Sequence, residues 1–131
     1  MKVMLDTNIL ISAFIFKSSK MNSLIEKLST KHEIVICSYT IEELEDLINT
    51  KFNVDSKVLD EFLSNFPFTL VYSPKRIKKK LFSIRDDNDY IILHTAIVEN
   101  VDVLITGDKD FKDVKIEKPE ICTPSEFLEK Y

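Results

Sequence analysis

Short apolar runs that stop at polar or acidic residues alternate along this chain with segments of helical periodicity, and that alternation restricts its fold more than any other feature. Lys2 to Leu5 is an apolar run stopped by Asp6, and Ile34-Val35-Ile36 centres a β-branched run from Glu33 to Cys37. Thr69 to Tyr72 and Val101 to Thr106 read as a third and a fourth strand, with Ile121-Cys122 as a short fifth. Between them, apolar residues recur at spacings of three and four: Leu24, Ile25 and Leu28; Ile41, Leu44, Leu47 and Ile48; Val58, Leu59, Phe62, Leu63 and Phe66. The spacing predicts helices from Asn8 to Phe16 and Met21 to Leu28, broken at Ser18 and Ser19, then from Ile41 to about Asn49, and from an Asp55 cap to a stop at Pro67. Ser73-Pro74 reads as an N-cap followed by proline at the first helical position, opening a basic helix to Phe82. Further helices are expected from about Asp89 to Glu99 and from Pro124 to Lys130. Strands alternating with helices imply a three-layer α/β/α sandwich around a parallel sheet of four or five strands. Right-handed crossovers then bring the carboxyl ends of the strands to one edge, where sites in such sheets form.

The 131 residues suit one domain, 1–131, with no room for a second core. Hydrophobic residues at 44% and charged residues at 31% are a globular balance. The longest apolar run, Ile9 to Phe16, is interrupted by Ser12 and far short of the ~20 residues that span a bilayer. Asp6 interrupts any signal-peptide core, so a cytoplasmic protein with no membrane association is expected. Cys37 and Cys122 lie far apart without CxxC spacing, and only His32 and His94 are available besides, which excludes a structural zinc site. The formal net charge of −4 hides an uneven distribution. Five of the six residues from Lys75 to Lys80 are basic, while acids gather at 42–46, 86–89 and 108–113. Such a chain can hold cations in one place and a polyanion nearby, although a basic run alone also reads as a solvated helix face.

On the expected topology, Asp6 falls at the carboxyl end of the first strand and Glu43 in the first turns of the helix after the second. Asp87 and Asp89 open the helix before the fourth strand, and Asp108 and Asp110 follow that strand's end. The placement of Asp89 is the least secure by topology alone, because it depends on how the preceding basic segment runs. Ionised carboxylates this close repel unless a cation neutralises them. Oxygen ligands without His or Cys select a hard divalent ion, Mg²⁺ or Mn²⁺, which clamps phosphate oxygens and activates water. Each acid also has a structural explanation. Thr40 and Glu43 match a capping box, Asp86 or Asp87 suits a helix cap, and Asp108-Lys109-Asp110 suits a turn. Asp6 is the hardest to explain this way. The joint pattern points to a metal-dependent nuclease or phosphatase.

Met4-Leu5-Asp6-Thr7-Asn8, Glu42-Glu43-Leu44, Asp86 to Ala96 with Asp89 seven residues before the alanine, and Thr106-Gly107-Asp108-Lys109-Asp110-Phe111 stand in the order of the PIN domain signature. Over essentially the whole chain the sequence resembles that family, and within it the VapC-type toxins of toxin–antitoxin systems. The resemblance implies a PIN-like sandwich and a metal-dependent endoribonuclease with Asp6, Glu43, Asp89 and Asp108 as its acidic quartet. Asp6, Asp89 and Asp108 would hold Mg²⁺ or Mn²⁺, and Glu43 would orient water or a second ion. Thr7, Asn8, Asp87, Thr106 and Asp110 match supporting positions. Asp87 stands where the subgroup often has proline, and Glu43 rather than Glu42 directly precedes the leucine. Lys75, Arg76, Lys78, Lys79 and Lys80 would contact RNA phosphates. Tyr72, Tyr90 or Phe111 would stack on a base if not packed in the core. An antitoxin protein and a second copy of the chain are the implied partners.

Three other readings compete: an RNA-processing PIN nuclease outside toxin–antitoxin systems, a catalytically silent PIN module, and a metal-free ribonuclease using His32 and His94. An aspartyl-phosphate phosphatase fits poorly, since the acid it needs two residues after Asp6 is Asn8 here.

Overall fold

The computed structural model of the protein describes residues 1–74, 82–84 and 86–131. Five strands, β1 (Lys2–Leu5), β2 (Glu33–Cys37), β3 (Thr69–Val71), β4 (Val103–Ile105) and β5 (Glu120–Cys122), pair in parallel in the order β3-β2-β1-β4-β5. The three-layer sandwich with a parallel central sheet is therefore the fold, and the short Ile121-Cys122 run completes the sheet as its fifth strand.

The strands divide their side chains between two cores by the two-residue period of extended backbone. Val3, Leu5, Ile34, Ile36, Val103 and Ile105 face one layer, and Met4, Val35, Cys37 and Leu104 face the other. On the first face pack α1 (Thr7–Ile11), α2 (Ser19–Lys31), α3 (Ser38–Thr50), α4 (Ser56–Asn65) and α6 (Pro124–Lys130). The second face is covered by α5 (Asp87–Val98) through Ile92, Leu93 and Ala96, with Phe111 beside them. Handedness explains the split. The chain moves from β1 to β2 to β3 in one direction across the sheet, then returns past both to β4, so a right-handed return must cross the opposite face. The reversal leaves a crevice between the carboxyl ends of β1 and β4, the switch point at which open α/β sheets bind ligands.

Local chemistry sets the element ends. The predicted break near Ser18 is real. Lys17 takes a left-handed conformation at φ 44°, and the Ser18 hydroxyl accepts the Met21 N–H at 3.2 Å to start α2. Before that break, Ser12–Phe16 winds as a π-helical turn continuing α1. Asp55 caps α4 as expected, accepting the Lys57 N–H at 3.0 Å.

Two expectations change. Helix α3 starts at Ser38, three residues before the Ile41 that begins its apolar period, so Thr40 lies inside the helix and cannot be its N-cap. The cap residue Cys37 makes no side-chain bond to the helix backbone. Instead Ser73, past the end of β3, accepts the Tyr39 N–H at 3.0 Å, while Ser38 Oγ accepts the Ser73 N–H at 2.9 Å. The Ser73 hydroxyl thus supports the first turn of α3, while its expected role as the cap of a basic helix falls with that helix outside the described residues. The basic run with Lys75, Arg76, Lys78, Lys79 and Lys80 lies outside the described residues.

Ser73→Ala should cost about 1 kcal/mol, the usual worth of an N-cap hydroxyl. Urea unfolding at neutral pH measures it; a change within experimental error would show that Ser73 does not support α3.

Candidate active site

Register builds the centre of the site. Leu5 pairs with Ile105 across β1 and β4, so the next residues, Asp6 and Thr106, leave the sheet side by side. Asp6 turns the chain from β1 into α1 and caps that helix, its Oδ1 accepting the Ile9 N–H at 2.9 Å. Its Oδ2 accepts the Thr106 hydroxyl proton. Thr106 Oγ1 in turn accepts the Asp108 N–H at 3.0 Å, so one hydroxyl ties the acids at the ends of two strands together. Asp108 then caps the 3₁₀ turn Lys109–Phe111 by accepting the Asp110 N–H at 2.9 Å. The turn reading of Asp108 holds, and because capping engages only Oδ1 it leaves Oδ2 available to a site. At Gly107 an added Cβ would meet nothing within 4 Å, so space does not demand glycine there.

Asp89 arrives from the opposite layer. A helix that precedes a parallel strand runs antiparallel to it, so α5 begins over the carboxyl edge of the sheet and delivers its first turn to the crevice. The uncertainty in its placement disappears once that direction is considered. Asp86 is the cap of α5, accepting the Asn88 N–H at 2.8 Å, which frees Asp89 from that duty. One carboxylate oxygen from each of Asp89, Asp108 and Asp110 lies within 4.8 Å of the other two. Asp89 Oδ2 is buried and has no hydrogen-bond partner. Asp110, expected only as a supporting residue, is thus in the trio, while Asp6 adjoins it through Thr106. Asp87, the exposed first residue of α5, stands outside the trio, and Asn8 is exposed.

Glu43 completes the acidic edge from α3. Its Oε1 accepts the hydroxyl proton of Thr7, the buried first residue of α1. The capping-box reading of Glu43 fails for two reasons. Thr40 is interior to α3, and its Oγ1 lies 3.2 Å from Cys37 Sγ. Glu42 is exposed, one helical step away. Tyr39, one turn before Glu43, went unnoticed in the sequence. Burial, then the charges of Glu43, Asp86 and Asp89, push its phenol up to about 12 and keep it a neutral donor beside the acids. Its i, i+4 spacing from Glu43 was the available signal. Tyr90 and Phe111 are core residues at 3% and 1% exposure, whereas Tyr72 is 74% exposed. His32 packs against Phe127 and His94 stacks on Tyr90 of α5, on opposite faces of the sheet, so no paired-histidine site forms.

Electrostatics reports the strain of gathering these charges. Asp6 is 4% exposed, and burial, reinforced by Asp108 and Glu43, pushes its carboxyl up to about 6 despite the Thr106 and Ile9 hydrogen bonds that oppose the shift. Burial, then repulsion from Asp108 and Asp86, pushes Asp89 up to about 7. Desolvation and repulsion therefore outweigh the hydrogen bonds at Asp6. An all-oxygen donor set with an orphaned buried oxygen matches the demands of a hard divalent cation.

The model of the PIN domain family matches residues 2–110, which hold every acid described above. This chain belongs to the PIN domain family. A solved structure described as VapBC2 from Rickettsia felis bound to a DNA fragment from their promoter contains a chain similar to this PIN domain. The match has a TM-score of 0.73 and 26% identity, covering 94% of this chain and 98% of that one. No curated protein sequence matches this PIN domain. At the level of the family, the chain is a PIN domain with an acidic cluster at the carboxyl edge of its sheet. Among the described residues, no helix is long and apolar enough to cross a membrane.

The raised Asp6 value carries a sign. A carboxyl whose folded pKa exceeds its unfolded value stabilises the protonated fold, and that contribution disappears as pH rises through the folded value. In chelator, the change from 3.8 to about 6 corresponds to a loss of about 3 kcal/mol between about pH 4 and about pH 7. Asp6→Asn, which retains a capping oxygen, should show a flatter profile over that window and exceed the parent at its upper end. Denaturant unfolding across pH tests this, and parallel profiles for the two proteins would contradict it.

Proposed function

We propose that this PIN domain is a divalent-metal-dependent endoribonuclease acting as the toxin of a toxin–antitoxin pair. The observation that carries the metal dependence is the buried, unpartnered Asp89 Oδ2 beside the carboxylates of Asp108 and Asp110. Three acidic side chains gathered without a neutralising partner for that oxygen are costly unless a cation completes them.

Asp89, Asp108 and Asp110 would hold Mg²⁺ or Mn²⁺, with Asp6 as the neighbouring acid. When bound, such an ion neutralises phosphate oxygens and lowers the pKa of water. The chain's own residues supply the frame. Thr106 fixes Asp6 and Asp108 relative to each other, so the acids from β1 and β4 keep one spacing as substrate arrives. Glu43, held by Thr7, is an acid outside the trio and suited to orient a water or accept its proton. Lys75, Arg76, Lys78, Lys79 and Lys80 would bind the RNA backbone without reading its sequence. The VapBC2 neighbour supports an antitoxin as the protein partner. The chain would work in the cytoplasm as a single domain, in a homodimer.

The test is RNA cleavage by protein freed of contaminating ribonuclease. Cleavage should require Mg²⁺ or Mn²⁺ and cease in excess EDTA. Asp89→Asn and Glu43→Gln should each lose on the order of a hundredfold in rate or more, the scale of removing a positioned acid or base, with melting temperatures not lowered. Glu42→Gln, one step along α3, should cleave like the parent. Cleavage that persists in EDTA, or an Asp89→Asn protein at full rate, would overturn the proposed metal site.

A further inference from the structure

Beside the acidic trio lies a cleft of about 770 Å³ lined by Phe82, Ser83, Ile84, Asp110, Asp113 and Lys115. Asp110 belongs both to this cleft and to the trio, so the two are contiguous. The volume lies within the range of small-ligand sites. Its walls are mixed in a specific way. Phe82 is held by near-parallel stacking on Tyr90, with centroids 4.3 Å apart and planes at 19°, and Tyr90 directly follows Asp89 in α5. A fixed aromatic ring and Ile84 therefore form an apolar wall next to the proposed metal site. Asp113, Ser83 and Lys115 add polar groups, and Asp113 and Ser83 are exposed to an entering ligand.

We propose that this cleft is the base-reading subsite of the nuclease, taking a guanine adjacent to the scissile phosphate, with Phe82 as its apolar wall and Asp113 as its reader. The inference rests on the ribonuclease reading for its substrate class. Unpaired RNA bases are recognised by packing on aromatic rings and by hydrogen bonds to their Watson–Crick edge. An ionised carboxylate only accepts hydrogen bonds. Guanine presents two adjacent donors on that edge, N1–H and the exocyclic amine, which match the two oxygens of one carboxylate. Adenine and cytosine place a ring-nitrogen acceptor next to their amine, and uracil flanks its single N–H with two carbonyls. Each would set a lone pair against Asp113. Lys115 supplies a cation at the rim for the flanking phosphate. The basic run accounts for affinity along the backbone, and this cleft accounts for choice of base.

Two measurements separate this inference from the ribonuclease reading beneath it. In a ¹H–¹⁵N titration, guanosine monophosphate should shift the amides of residues 82–84 and 110–115, with adenosine monophosphate about tenfold weaker or more, the discrimination expected of a bidentate contact. Asp113→Asn should erase the preference, because an amide offers one donor and one acceptor, and Phe82→Leu should weaken both nucleotides. In parallel, a randomised RNA cleaved in Mg²⁺ should show guanosine enriched at one position beside the cut, and Asp113→Asn should lose that enrichment. Equal binding of the two nucleotides, shifts located elsewhere, or an enrichment unchanged by Asp113→Asn would overturn the subsite. An RNA pool left intact in both Mg²⁺ and Mn²⁺ would overturn the ribonuclease reading, while the nucleotide titration still decides the cleft.

Discussion

The Thr106 hydroxyl, donating to Asp6 and accepting from the Asp108 backbone, is the contact on which the acidic edge depends. Asp6 is placed by the fold at the end of a buried strand, where an isolated carboxylate would be expensive. The Ile9 N–H and the Thr106 hydroxyl are the hydrogen-bond donors that make the position tolerable, yet they do not fully compensate burial, and the carboxyl remains well above its usual range. A threonine here performs two tasks with one oxygen. It satisfies the acid from β1 and sets the start of the turn that positions Asp108 and Asp110. The charge that stays buried here is what a cation bound at this edge would relieve.

Parallel register gives that contact its reach. Because Leu5 pairs with Ile105 and Ile105 with Cys122, three strands end level, and residues just beyond them share an edge. The reversal of strand order between β3 and β4 sends α5 across the far face, and its first turn returns to the same edge with Asp89. Acids from β1, α3, α5 and the β4–β5 connection thus meet although 37 to 46 residues separate the first three in the chain. Two hydrophobic cores, one on each face, hold the sheet that sets these spacings.

Much of this was legible in the sequence because it follows from period and direction. The unbroken β-branched run Ile34-Val35-Ile36 marks a strand buried on both faces, and three-four spacing in Leu44, Leu47 and Ile48 marks the inward side of a helix. What escaped depends on contacts between distant segments. The start of α3 is three residues earlier than its apolar period because Ser73, 34 residues from Tyr39, supplies the cap. The ambiguity of Glu43 could not be resolved locally, since the same Thr40–Glu43 spacing suits a capping box or an inward acid, and it is the early start of α3 that puts Thr40 inside the helix and removes the capping box. Asp110 looked like the far end of a turn because nothing in Asp-Lys-Asp says that a 3₁₀ turn brings the second acid back to within 4.8 Å of Asp89 and Asp108. Tyr39 was hidden for a related reason: it lies before Ile41, where the aliphatic period of α3 begins, so it fell outside the helix read from that period.

The central claim is that this edge stores carboxylate charge that a divalent cation relieves. Metal binding to groups that are partly protonated must displace their protons. Isothermal titration of Mg²⁺ or Mn²⁺ into the protein, repeated in two buffers of different ionisation heat, counts those protons directly. With Asp6 and Asp89 raised to about 6 and about 7, binding at about pH 6 should release protons, and the release should vanish by about pH 9, where both are already ionised. A binding heat independent of buffer at about pH 6 would contradict the account.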